Sequence, residues 1–178
     1  MRRACDQHVH GAGRQRPFIV TADADIDAAV AGAMVAKFRN GGQACTAANR
    51  FYVHEDVAEE FSAKFGERIA ALRVGDAAQG AEIGPVISEK AADGIRTLVE
   101  AAAADGAQVR AQAELPPSVS PTFVAPQLLT GVAADAAILG RRSSVLSLLW
   151  SRGATRMRSS LRPTAPPSDW RPTSTRAT

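Results

Sequence analysis

An α/β fold, layered around a largely parallel sheet with helices, is what the middle of this chain predicts, and three observations carry the prediction. Short β-prone runs alternate with longer stretches whose apolar residues recur at helical spacing. Turn-forming residues mark each change of period. The chain has 178 residues, 46% hydrophobic and 22% charged, enough to bury one domain-sized core.

Phe18-Ile19-Val20 follows Pro17 as the first β-prone run, and Thr21 to Asp25 breaks it with a polar turn that offers Asp23 or Asp25 as a helix N-cap. Ile26, Val30, Ala33, Met34 and Phe38 then fall at helical spacing. Asn40-Gly41-Gly42 tolerate left-handed geometry and end a helix expected over 26–39. Phe51-Tyr52-Val53 reads as a second strand. Val57, Phe61, Phe65, Ile69 and Leu72 form one stripe of a helix that starts near Glu55 or Asp56 and is closed by Gly75. Glu59-Glu60 and Glu67-Arg68 read as its solvated face. Ser88 and Glu89 open a third helix, with Ile95, Leu98, Val99 and Ala102 on its buried side and Asp105-Gly106 as its stop. Val109 starts a further strand.

Composition excludes several classes of function. No apolar run approaches the roughly 20 residues of a membrane-spanning helix, and the basic start lacks the apolar segment of a signal peptide, so a cytoplasmic protein is expected. Cys5 and Cys45 are the two cysteines, too few for a disulfide scaffold. His8, His10 and His54 are too scattered for a metal site and read as surface residues. Gly11-Ala12-Gly13 lacks the third glycine and the preceding strand of a dinucleotide fingerprint, and no phosphate loop occurs, so no cofactor site is read from these residues. Charge is distributed unevenly. Residues 1–16 carry a net +3, residues 17–140 a net −7, and residues 141–178 a net +7 with eight Arg and no Lys or Glu. Such basic, Ser- and Pro-rich ends are expected to be disordered. The alternative is a non-catalytic basic protein that binds nucleic acid through its Arg-rich ends.

The stretch that carries chemistry runs Lys37-Phe38-Arg39-Asn40-Gly41-Gly42-Gln43-Ala44-Cys45-Thr46-Ala47-Ala48-Asn49-Arg50. It places a cysteine between a glycine-broken helix end and a strand, where substrate can reach a thiol and backbone N–H groups can stabilise an oxyanion. By position alone a buried structural cysteine is the other reading.

The core Phe38, Asn40, Gly42, Gln43 and Cys45 resembles the active-site segment of the aldehyde dehydrogenase superfamily, whose pattern is Phe-x-Asn-x-Gly-Gln-x-Cys. The resemblance continues through Pro17 to Val20, Val74-Gly75-Asp76, Ile83 to Ile87, and 126–138, and so covers about 17–140. It implies part of the family's catalytic domain over 17–140, with Cys45 as the nucleophile that attacks a small-molecule aldehyde. Hydride would then pass to NAD or NADP and the resulting thioester would be hydrolysed. The Cys45 N–H would supply half of an oxyanion hole. Arg39 and Ala47-Ala48-Asn49-Arg50 look like the succinate-semialdehyde dehydrogenases, in which an arginine at the Arg39 position holds the substrate carboxylate; the planar guanidinium suits that task. The other reading of Arg39 is a solvated cation at a helix C-terminus. The intact family is homo-oligomeric, and its cofactor-binding domain is expected to be absent from this chain, which is therefore expected to be inactive alone.

At both ends the resemblance breaks in an instructive way. The family's general base is a Glu just before the Pro-Phe-Ile-Val strand, where this chain has Gly11 to Arg16. With synonymous codons chosen as GGA GCT GGG CGG CAA CGC CCC, Gly11 to Pro17 can be written so that one base later they read Glu-Leu-Gly-Gly-Asn-Ala, the family motif. Arg141 to Ser147, written AGG AGA TCT TCG GTC CTG TCG, likewise contain Glu-Ile-Phe-Gly-Pro-Val in another frame. Trp170 to Thr178 can be written to give Ala-Ala-Tyr-Val-Tyr-Thr-Arg-Asp. Residues 1–16 and 141–178 are therefore expected to be out-of-frame translations, which would account for the Arg-rich ends without a nucleic-acid partner.

Overall fold

The computed structural model describes residues 17–48, 50–117, 119–133, 136–140 and 147–150, with the backbone alone at 139–140 and 147–150. The first β-α-β unit forms as its pattern demands. Strand β1 (Pro17–Val20) leads through the acidic turn into helix α1 (Ile26–Phe38), and strand β2 (Arg50–Val53) returns parallel to β1. Asp25, not Asp23, caps α1, accepting from the Ala28 N–H at 3.1 Å. That bond satisfies one of the donors a helix start leaves unpaired. Asp23 instead meets the Thr21 side chain, which holds its carboxyl below the usual carboxylate range.

Helix α2 (Glu55–Ala70) is capped by His54, whose Nδ1 accepts from the Asp56 N–H at 3.3 Å. His54 thus has a structural task that its sequence position did not suggest. Helix α3 (Glu89–Ala104) starts on the Ser88 hydroxyl and gives way at Gly106, in the left-handed region, to strand β3 (Gln108–Gln112). Strand β4 (Gln127–Thr130), short helix α4 (Ala137–Gly140) and strand β5 (Ser147–Trp150) follow. The sheet order is β1-β2-β5-β4-β3, parallel throughout except for the β3–β4 pair.

Strand β5 corrects one expectation. Ser147 to Trp150 fall within the tail expected to be disordered, yet they fill the sheet between β2 and β4, with Leu149 in register with Arg50 on one side and Leu129 on the other. A Leu-Leu-Trp run has the continuous apolar sequence typical of strands in a parallel sheet, whatever the charge of its neighbours. The remainder of that segment, 141–146 and 151–178, lies outside the described residues, as do 1–16, including Cys5, His8 and His10.

Two helices cover one face and α3 the other. Phe18, Val20, Phe51, Val53 and Leu128 face α1 and α2, while Leu129 and Val132 pack with Ala92, Ile95 and Ala102 of α3. The first cluster is threaded by a chain of rings: Phe18–Phe51 at 5.2 Å, Phe51–Phe65 at 5.5 Å, Phe61–Phe65 at 5.4 Å and Phe38–Phe65 at 6.4 Å between centroids. Phe65 is fully buried at its centre, and burying one such ring contributes roughly 1.5–3 kcal/mol. Gly66 lets α2 close on the sheet, since a Cβ there would stand 3.1 Å from that of Ala111. Glu59 on the outer face of α2 pairs with Arg110 of β3. The α3 face stops short of β1 and β2, leaving their registered neighbours Ile19 and Tyr52 51% and 41% exposed.

Candidate active site

The site is built where α1 ends. The Arg39 N–H donates to the Val35 carbonyl as the last helical bond, and Asn40, Gly41 and Gly42 then adopt φ of 56°, 63° and 75°. Three left-handed residues in succession reverse the chain within one short turn. Asn is among the few side chains that tolerate that region, and glycine meets no penalty there. The Gln43 N–H closes the turn on the Asn40 carbonyl at 3.2 Å.

Cys45 follows two residues later, an exposed free thiol. Behind it the chain dives back into the core: Ala47 donates to the Ala44 carbonyl and Ala48 to the Ala36 carbonyl, both at 3.0 Å, and both alanines are buried. Cys45 is therefore held at the tip of a loop whose two stems are anchored on α1. The reading of Cys45 as a buried structural residue does not hold, because the turn before it and the re-entry behind it push it outward. A third anchor reaches across the fold, where the Gln43 side-chain amide donates to the Pro85 carbonyl at 3.2 Å.

Arg39 lies at the start of the same turn and is exposed. It sits at the negative end of the α1 dipole, a favourable place for a cation, and its guanidinium is open to solvent on the loop that carries Cys45. Lys37, two residues earlier, has no solvent exposure. Burial pushes its ammonium down to about 8 from the usual 10.5. Sequence reasoning passed over Lys37, although it falls on the buried stripe of Ile26, Val30, Ala33 and Phe38.

These residues do not fit a dinucleotide. A pyrophosphate is held at a glycine-rich strand-to-helix turn by free N–H groups, but the β1–α1 turn contains no glycine and already spends the Ala28 N–H on Asp25. The β2–α2 turn is equally acidic, with Glu55 and Asp56 in the first turn of the helix. A cleft of about 430 Å³ lined by Arg73, Gly75, Asp76, Gln79, Val119 and Phe123 shares no residue with the Cys45 loop. Among the described residues no group of three or more His, Cys, Asp or Glu could hold a metal ion, and no helix is long and apolar enough to cross a membrane. The terminal Arg clusters on which a nucleic-acid role would rest lie outside the described residues.

Comparison with known proteins places this geometry in context. A family model described as Aldehyde dehydrogenase family matches residues 3–141, starting upstream of the Pro17 boundary drawn from sequence. A succinate-semialdehyde dehydrogenase of Paenarthrobacter nicotinovorans is 47% identical over 130 residues, 72% of this chain and 29% of that protein. A probable NADP(+) succinate-semialdehyde dehydrogenase of Sinorhizobium fredii is 47% identical over 121 residues, 67% of this chain and 24% of its own length. The crystal structure of succinate-semialdehyde dehydrogenase from Burkholderia pseudomallei superposes with a TM-score of 0.73 at 36% identity, covering 80% of this chain and 30% of that one. The chain thus spans less than a third of the length of these relatives.

Proposed function

The chain belongs to the aldehyde dehydrogenase family, and from that premise we propose that Cys45 is the nucleophile of an aldehyde oxidation whose substrate is a short semialdehyde such as succinate semialdehyde. The observation that supports it is the exposure of Cys45 at the tip of a loop anchored on both stems and across the fold. A thiolate held in this way attacks the aldehyde carbon. The S–C bond forms, the carbonyl π pair moves to oxygen, the Cys45 N–H donates to that oxyanion, and a proton from water completes the thiohemiacetal. Arg39 pairs with the carboxylate at the other end of the substrate. The chemistry of these residues stops there. NAD or NADP supplies the hydride acceptor in this family, and the described turns do not fit it.

Succinate semialdehyde is expected to slow iodoacetamide labelling of Cys45, read from the Cys45 peptide by mass spectrometry, while butanal protects more weakly. Replacing Arg39 by Ala should remove the difference between the two aldehydes. Equal protection by both in the native chain would refute the role of Arg39, and no protection by either would refute that of Cys45.

In the same reading the segments at 1–16 and around 141–178 are out-of-frame translation of a longer coding sequence, a reading supported by the three family motifs that a choice of synonymous codons recovers in shifted frames. Resequencing across the codons for residues 11–17 and 140–146 tests this directly. Reads that place a single-base offset at each junction are expected, and one continuous frame that no offset turns into the family motifs would overturn it.

A further inference from the structure

We propose that Gln43 is a positioning residue that sets the pose of Cys45 by clamping its loop to a fixed backbone carbonyl at Pro85. The inference rests on the reading of Cys45 as the nucleophile. Gln43 is two residues from Cys45, and its Nε2 donates to the Pro85 carbonyl at 3.2 Å across 42 positions of sequence. The other bonds given for the loop are local or run to α1, so they fix its stems. The Gln43 amide instead ties its tip to a different part of the fold.

The chain is held on both sides of the acceptor. On its N-terminal side Ile83, 2% exposed, bridges Val74; Glu82 and Ile83 both donate to the Arg73 carbonyl, at 2.9 and 3.1 Å; and the Gly75 N–H donates back to Ile83 at 2.9 Å. On its C-terminal side the Val86 N–H donates to the Thr122 carbonyl at 3.0 Å. Thr122 lies in the loop that Arg96 of α3 grips through the Pro121 and Phe123 carbonyls, at 2.6 and 3.1 Å. Proline itself removes the φ freedom of the acceptor residue. The position of Cys45 is therefore referred, through one amide, to both core clusters. A catalytic group needs such support, because a displacement of about 1 Å at the reacting atom is enough to lose a large part of the rate.

Hydrogen exchange and thiol labelling on the full 178-residue chain test the clamp. Gln43→Met keeps the length and removes the donor; Gln43→Lys keeps a donor that can reach the same carbonyl. The Met variant is expected to speed amide exchange about fivefold, as loss of one net hydrogen bond implies, in both 41–47 and 84–88 while leaving α3 unchanged. Its iodoacetamide labelling of Cys45 should change at least threefold, and the Lys variant should restore exchange protection in both segments. Faster exchange confined to 41–47, or no change in either segment, would overturn the clamp. Coupled exchange with an unchanged Cys45 labelling rate would make Gln43 a structural tie only, which also overturns the proposal. Iodoacetamide reports on the thiol whether or not it attacks aldehydes, so a failed aldehyde adduct would count against the function of Cys45 and not against the clamp.

Discussion

Lys37 gives the sharpest stability prediction. Its side chain is fully buried in the stripe by which α1 packs on the sheet, and burial brings its ammonium down to about 8 from 10.5. The folded state holds this proton less tightly than the unfolded state, so unfolding takes up a proton between about pH 8 and 10.5. Stability attributable to Lys37 therefore rises with pH across that window, and below it the cost of burying the charge is present in full. At about 1.4 kcal/mol per unit, the shift amounts to roughly 3 kcal/mol. Urea unfolding of the native chain and of Lys37→Met at pH 7.5 and pH 10 measures it, with the midpoint difference converted through the slope. The native chain should gain stability relative to the Met variant between the two conditions. Parallel pH profiles would refute the argument, because a lysine that keeps its ordinary pKa contributes no such slope.

Phe65→Ala removes the ring that touches Phe38, Phe51 and Phe61 and should cost about 3–5 kcal/mol in urea unfolding; a loss under 1 kcal/mol would mean that the ring chain does not organise this face. The purified 178-residue chain should show no sustained NAD- or NADP-dependent turnover with succinate semialdehyde, since the described turns fit neither dinucleotide; a robust steady-state rate would contradict that.

Much of this arrangement is legible from local pattern. The stripes of α1, α2 and α3 and the runs Phe18–Val20 and Phe51–Val53 are set by periodicity and by the turns that bound them, and they lie where the pattern puts them, except that α2 ends at Ala70, short of the Leu72 and Gly75 read as its last turn and stop. Strands β4 and β5 are not legible in this way. Like β1 and β2 each is four residues long, but where those carry Phe, Ile, Tyr and Val, β4 and β5 are built on a Leu-Leu pair that serves a helix as well as a strand, and β5 sits among arginines that suggest a tail. Its apolar run is a strand because β2 and β4 leave a place for it, which is a tertiary fact. The site divides similarly. Cys45 and Arg39 are marked by a contiguous motif and by Gly41-Gly42, whereas the Gln43–Pro85 bond joins positions that no local pattern relates. Lys37 stood on a visible stripe, but a lysine is counted as surface unless the stripe is extended through it.

The central claim is that the Cys45 sulfur adds to an aldehyde carbon. Carbon-13 NMR of the chain mixed with succinate semialdehyde labelled at its aldehyde carbon tests this most directly. A new resonance of a carbon bonded to both oxygen and sulfur, present with the native chain and absent with Cys45→Ala, is the predicted result. A spectrum unchanged from free aldehyde and its hydrate at saturating protein, or an adduct signal that survives in Cys45→Ala, would contradict it.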